Sequence, residues 1–365
     1  MNHKKKYPYL LDLYIVKKFL GTFFVVLSLL LLIVVVIDLA ENIQDFLDGN
    51  APFKEIFFNY YLNFIPYFAN TFSPLFTFVA VIYFTSRLSV NTEIVAILNA
   101  GVSFYRLMVP YIFSAICIGL LSLYLTNSLI PQTSKNMMLF KEKYVSRQIR
   151  SKEVDNHIKL DKNTYAYIHY WDNKNNMGFN FWYETLSPNG ISYKLRSQVI
   201  QWDSTNQQWQ LGTYLIRWFD GKEERLLEGE TLDTSLNVQI SDFIYIKDGI
   251  ALMNSKELRQ FINEEIAKGS PMVKSYEFEK HRRIAFPFAT IILTIIGFCI
   301  SSRKSRQGTG LHLLMGFVIA FSFIMLLQIS QMFAIYGGFS PFWAAWTPNI
   351  LYTFLSGALI YISPK

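Results

Sequence analysis

Histidine, cysteine and carboxylate side chains do most of the catalysis and metal binding in proteins, and in this chain they are thinly spread. The five histidines, His3, His157, His169, His281 and His312, fall in separate segments, so no metal shell or proton-relay triad follows from their spacing. The two cysteines, Cys117 and Cys299, lie in apolar runs and read as small packing residues, too few for a disulfide framework or a Cys-based zinc site. No GxxxxGK(S/T), HExxH or GxSxG stretch is present. These absences argue against catalysis by this chain and against a metal or cofactor of its own.

Two short constellations stand out instead. In the loop from Ser86 to Arg106, Asn91 or Thr92 is placed to cap a short helix near 91–101, Glu93 sits in its first turn, and Gly101 is placed to end it. Helical periodicity puts Ile94, Ile97 and Leu98 on one face. Such a helix either lies in a lipid interface, with Glu93 complementing its dipole, or forms a knob that docks in another protein's groove. The residues alone leave both open. The second constellation is Lys280, His281, Arg282 and Arg283, just before an apolar run. Arg282 and Arg283 either snorkel to lipid phosphates as an anchor or recognise an anionic head group, since a guanidinium fork suits phosphate.

The elements that must position these groups form a membrane bundle interrupted by a polar insert. Six apolar runs extend approximately from Phe19 to Ile37, Phe64 to Phe84, Leu107 to Leu129, Ile284 to Ile300, Leu311 to Ser330 and Phe342 to Ile362. Each is near the ~20 residues that cross a bilayer as helix. The first is too long for a signal-peptide core and should stay as an anchor. Pro66, Pro74, Pro110, Pro287 and Pro348 are placed to kink spans, and Gly21, Gly119, Gly297, Gly316 and Gly357 permit close helix contact. Ionisable residues deep in the spans are nearly absent, which argues against an ion-coupled pump with a midplane site. Energy, if used, must come from a partner.

Orientation follows from the short loops. Lys4, Lys5, Lys6, Lys17 and Lys18 precede span one, Arg87 and Arg106 bound the loop after span two, and Arg303, Lys304 and Arg306 follow span four. These read as cytoplasmic, whereas Asp38, Glu41, Asp45, Asp48 and Glu55, against Lys54 alone, read as external. Both termini are then cytoplasmic and the insert external. Acids and bases roughly balance within the insert, so the net charge of +7 belongs to the membrane part. It sets orientation and does not point to nucleic acid.

The insert changes to period two from Asn156. Tyr165 to Trp171, Phe179 to Thr185, Ile191 to Trp202 and Gln208 to Phe219 are rich in aromatic and β-branched residues, with turn-prone stretches between them. Strands of this spacing predict an antiparallel sandwich, jellyroll or barrel. Five of the seven tryptophans, Trp171, Trp182, Trp202, Trp209 and Trp218, lie here, either as core or lining an apolar trough for acyl chains. A helix opening at Asn254 or Ser255, running through Leu258, Phe261 and Ile262 and stopping at Gly269, leads back to the membrane.

LLDLYIVKKFLGTF at the start, NTEIVAILNAGVSFYRL in the internal loop, and the long stretch from MNSKELRQ through EKHRRIAFPF to SRKSRQGTG together resemble the LptF/LptG (YjgP/YjgQ) permease family of the lipopolysaccharide export system. The likeness covers nearly the full length, and the first span is most similar to Bacteroidetes members. It implies a six-span 3+3 helical membrane fold with an inserted all-β periplasmic jellyroll-like domain. The parts are 1–130 for spans one to three, 131–280 for the strand domain and its connecting helix, and 281–365 for spans four to six. It also implies an inner-membrane subunit that pairs with a second LptF/LptG-type permease and with a cytoplasmic ABC ATPase dimer, which alone binds ATP. The complex would extract lipopolysaccharide and pass it to periplasmic jellyroll bridge proteins of the LptC/LptA type. On this resemblance the helix near 91–101 is the coupling helix, with Glu93 meeting the ATPase beside Ile94, Ile97 and Leu98. Spans one and five resemble its lateral gate. Some members carry basic residues at the outer end of span one, where this chain has Asp38, Glu41 and Asp45. Arg282 and Arg283 are then the candidates for the lipid head group. Competing readings are an ABC membrane subunit for another lipid or lipoprotein, and a membrane scaffold with a periplasmic binding domain.

Overall fold

Backbone amides buried in lipid have no partner but the chain itself, so the apolar runs must fold as helices with every interior hydrogen bond made locally. The structure, a computed structural model, describes residues 7–145, 156–161, 163–172, 176–188, 190–203, 206–220, 223–238, 249–268, 270, 272–303 and 309–363. The expectations on His3, Lys4, Lys5, Lys6, Gly269, Lys304 and Arg306 lie outside the described residues. The chain divides into two compact units, residues 1–43, 53–137 and 274–365, and residues 44–52 and 138–273.

The first helix, α1 (Tyr7–Asp48), has 42 residues. At 1.5 Å per residue it measures ~63 Å, about twice the ~30 Å hydrocarbon layer. Asp38, Glu41, Asp45 and Asp48, expected in a loop, therefore stand on its last turns. The stretch from Thr22 to Asp48 has no Gly or Pro, so nothing ends the helix before Gly49. A single turn, α2 (Phe53–Glu55), leads through a π-helical stretch, Ile56–Tyr61, into α3 (Leu62–Val90). Then come α4 (Glu93–Asn99), α5 (Phe104–Tyr124), a second π-helical stretch, Leu125–Leu129, and α6 (Ile130–Tyr144). Beyond the sheet lie α7 (Ser255–Lys268), α8 (Val273–Ser301), α9 (Thr309–Tyr336) and α10 (Pro341–Ile362).

Among the described residues five segments are long and apolar enough to cross a membrane: Leu10–Asp48, Phe53–Val90, Phe104–Tyr144, Val273–Ser301 and Thr309–Tyr336. The sixth expected span is α10, whose 22 residues extend ~33 Å. Trp343, Trp346, Thr347, Pro348 and Asn349 dilute its first half. All five span prolines lie inside helices.

The bundle core is built from one stripe of α1, Ile15, Phe19, Phe23 and Leu27, laid against Val81, Phe84 and Leu88 of α3, Phe104, Leu107 and Tyr111 of α5, and Phe298 of α8. Several polar side chains inside the bundle are paired. Thr85 Oγ1 donates to Tyr111 Oη at 3.2 Å, Ser86 Oγ lies 2.9 Å from His312 Nδ1, and Asn349 Nδ2 donates to the Ala285 carbonyl at 2.7 Å. Lipid is as apolar as leucine, so such bonds and close packing hold helices together there. Gly316 shows the packing: a Cβ on it would come within 2.2 Å of Ile82 Cδ1.

In the second unit, β1 (Asn156–Lys159), β2 (Thr164–Asp172), β3 (Met177–Ser187), β4 (Gly190–Asp203), β5 (Gln208–Asp220) and β6 (Glu223–Thr234) form one antiparallel sheet in chain order. Two strands separate β2 from β5, which a flat sheet would hold ~14 Å apart. Yet the Trp171 and Trp209 rings are 6.1 Å apart, so the sheet curls and its concave face closes on a core of its own. Trp202 packs on Trp209 at 5.0 Å, and Trp209 Nε1 donates to the Val238 carbonyl at 3.0 Å. Trp182 and Trp218 do not join this core. Arg196 sits 4.4 Å over the Trp182 ring, and Trp218 is exposed. Three of the five tryptophans, Trp171, Trp202 and Trp209, thus take the core role.

A crease crosses the sheet. The ladder passes over His169, Asn180, Gln198, Thr213 and Glu230, each flanked by regular pairs such as Phe181↔Ser197 and Phe179↔Val199. Asn180 and Thr213 adopt left-handed φ values of 52° and 45°. Across this row the inward residues change parity, from Ala166 and Ile168 to Trp171, and from Leu195 and Ser197 to Ile200. Buried Ser197 meets the displaced backbone: its Oγ lies 2.6 Å from the Val199 carbonyl and 2.9 Å from that of Gly212. The exit helix α7 opens with a reciprocal cap, in which Asn254 Oδ1 accepts the Glu257 amide at 3.0 Å and Glu257 Oε2 accepts the Asn254 amide at 2.9 Å.

Replacing Ser197 by Ala removes the hydroxyl that contacts both carbonyls and should lower stability by roughly 1–3 kcal/mol. Thermal unfolding of the detergent-solubilised chain checks this. Gln198→Ala, at an exposed position of the same crease, should leave the midpoint unchanged.

Candidate functional site

The loop between α3 and α5 is shaped by two left-handed residues, Thr92 (φ 61°) before α4 and Gly101 (φ 86°) after it. The Gly101 amide bonds the Leu98 carbonyl at 3.0 Å and the Val102 amide bonds that of Ile97 at 3.4 Å, so the seven-residue helix is closed at its end. Ile94 is buried in the bundle core, and Ile97 and Leu98 pack half-buried against the same cluster. The apolar stripe legible in the sequence thus faces this chain's own core. Asn91, Thr92, Val95, Ala96, Asn99 and Ala100 are exposed. Val95 and Ala96 lie within the helix expected from the sequence but off the stripe that periodicity picks out. The available signal was the complement of the apolar stripe, a run of small residues one side chain away from it.

Glu93 is half-buried and already engaged. Its Oε1 accepts Asn91 Nδ2 at 3.2 Å and its Oε2 accepts Tyr14 Oη at 3.3 Å. A carboxylate has about four acceptor positions, so a further donor can still approach. Tyr14 belongs to α1, and nothing in the spacing of residues 79 apart foretells the contact.

Arg282 and Arg283, in the early turns of α8, share one carboxylate. Glu279 Oε2 accepts Arg282 Nε at 2.7 Å, and its Oε1 lies 3.5 Å from Arg283 Nε. The Arg283 side chain is 8% exposed and that of Arg282 32%, so the two face different surroundings. The Arg282 guanidinium also lies 5.8 Å over the Phe286 ring. The i−3 and i−4 spacing of Glu279 was visible in the sequence. At the end of α1, Asp38 Oδ1 accepts Tyr60 Oη at 3.2 Å, which turns one span-one acid inward to the π-helical stretch. Among the described residues no group of three or more His, Cys, Asp or Glu is placed to hold a metal ion.

Glu279→Gln leaves both arginines without their shared anion, and should lower the thermal midpoint in detergent by the equivalent of roughly 1–3 kcal/mol, less than a fully buried pair because Arg282 reaches solvent. Adding Arg283→Met to that variant should recover part of the loss.

Comparison with known proteins places these elements. Residues 116 in length align at 27% identity with the uncharacterized protein RP871 of Rickettsia prowazekii, and the alignment spans about a third of each chain (31% of both). The family described as lipopolysaccharide export system permease LptF/LptG matches residues 13–362, nearly the whole chain. The helical bundle with its inserted antiparallel sheet is thus that of a membrane permease, and the chain belongs to the LptF/LptG family.

Proposed function

We propose that this chain is one transmembrane subunit of an ATP-driven lipopolysaccharide exporter. It supplies the lipid path and the mechanical coupling, while a separate cytoplasmic ABC ATPase dimer hydrolyses ATP. A second LptF/LptG-type permease completes the gate, and the lipid is passed to a periplasmic jellyroll bridge. The setting is the bacterial inner membrane, with both termini cytoplasmic and the strand domain periplasmic, as the basic loops favour. The bundle comprises residues 1–130 and 281–365, with the periplasmic part, 131–280, between them.

The observation that carries this reading is α4. A helix of seven residues has little stability of its own, yet this one is closed by left-handed residues at both ends and pinned by buried Ile94. Its outward face is small: Val95, Ala96 and Asn99. A small, braced knob of this kind fits a groove in a partner and is of little use to an isolated anchor. In this reading Val95, Ala96 and Asn99 meet the ATPase directly, with Glu93 at their edge. Ile94, Ile97 and Leu98 act by fastening the helix to the bundle. Arg282, the more exposed of the pair, takes a phosphate of the lipid head group, and Arg283 holds Glu279 in place.

The test is co-purification of the full-length chain with an ATPase from its native membrane. Val95→Asp with Ala96→Asp should reduce the bound ATPase at least tenfold, and Glu93→Lys should weaken it, without loss of membrane insertion. Depletion of the chain should strand lipopolysaccharide in the inner membrane. Recovery of the chain without any ATPase, or normal lipopolysaccharide delivery after depletion, overturns the proposal. Charge reversal of Arg282 should abolish export while ATPase binding persists.

A further inference from the structure

The base of α1 is fastened to α4 and to the start of α5 by an ion pair, a hydrogen bond and a shared apolar cluster. Arg106, in the first turn of α5, forms a two-pronged ion pair with Asp12, Nη1 to Oδ1 at 2.8 Å and Nη2 to Oδ2 at 2.5 Å. Tyr14 donates to Glu93 on α4 at 3.3 Å. Ile15 and Phe19 are fully buried in the cluster that also holds Ile94, Phe104 and Leu107. Asp12, Ile15 and Phe19 follow i, i+3, i+7 spacing and so point one way from the helix. A planar guanidinium on a carboxylate fixes angle as well as distance, which a single apolar contact cannot do.

Through its middle, α1 is more exposed. Leu29, Leu32, Val36 and Ile37 are each more than half exposed, before Asp38 meets Tyr60 and Phe46 is buried against Phe140 near the far end. No proline interrupts this helix between Tyr9 and Asp48, which removes the commonest cause of a kink.

We propose that Asp12, Tyr14 and Arg106 are positioning residues that clamp the base of α1 to α4 and the start of α5, so that a displacement of the docking helix tilts α1 as a rod. The proposal rests on the reading of α4 as the ATPase-docking element. It adds the route by which a push on α4 reaches the base of α1. A docking helix joined to the bundle only through its two flanking left-handed residues would swing on them. The ion pair and the Tyr14 bond prevent that for α1.

The experiment uses the full complex with its co-purified ATPase, with Cys117→Ser and Cys299→Ala as background. Nitroxide labels at Leu13→Cys and Tyr105→Cys, both exposed, report the distance between the base of α1 and the start of α5. That distance should stay the same, within about 2 Å, in nucleotide-free and vanadate-trapped complexes, since the two ends move as one body. In Asp12→Asn with Tyr14→Phe it should shift or broaden on trapping, and lipid released per ATP hydrolysed should fall at least fivefold. Exchange of the ion pair, Asp12→Arg with Arg106→Asp, should restore at least half of that ratio. A distance that changes on trapping in the unmodified pair overturns the clamp, as does an unchanged export ratio in the double variant. Failure of any ATPase to co-purify instead overturns the docking reading, and the clamp with it.

Discussion

In hydrocarbon a backbone amide can bond only to its own chain, and the rest of this architecture follows from that constraint. It forces the apolar runs into helices although Val and Ile, abundant in α1, favour strands in water. It leaves irregular backbone only where the chain comes out of the apolar layer or is sheltered by protein. The π-helical stretches at Ile56–Tyr61 and Leu125–Leu129 keep continuous hydrogen bonding while rotating the side chains that follow. The first of them aims Tyr60 at Asp38.

Because lipid offers no hydrophobic reward for helix contact, side chains must supply it by shape and by polar pairing. That explains the uneven attachment of α1. Its first half offers a stripe of four buried apolar residues and an ion pair, its middle is exposed, and its far end is held through Asp38 and Phe46.

The strand domain obeys different rules, since water surrounds it and burial drives its packing. Here the curled meander makes a core from one sheet, and the crease through Asn180 and Thr213 lets each strand turn a different parity of residues inward on its two halves. Ser197 shows how the disruption is accommodated: a small hydroxyl supplies what the ladder no longer does. A period-two reading of Leu195, Ser197 and Val199 finds the strand and assigns its far half to the wrong face, since a one-residue slip reverses every side chain beyond it.

The amino-acid order alone determined the kind of protein this is. Solvent-matched periodicity is a local property, so the long apolar runs, the shift to alternation at Asn156, the Asn254 cap and the short helix between Thr92 and Gly101 were all legible, as was the family likeness that residues 13–362 bear out. Tertiary structure decided where each face points and which distant groups meet. Ile94, Ile97 and Leu98 form a recognisable stripe, yet periodicity gives a stripe no address, and only packing shows that it seals the bundle and leaves Val95 and Ala96 outside. The pairs Asp12 with Arg106 and Tyr14 with Glu93 span 94 and 79 residues, separations over which no local rule operates. Side-chain spacing along a chain reports the element; contact between elements depends on how the whole bundle closes.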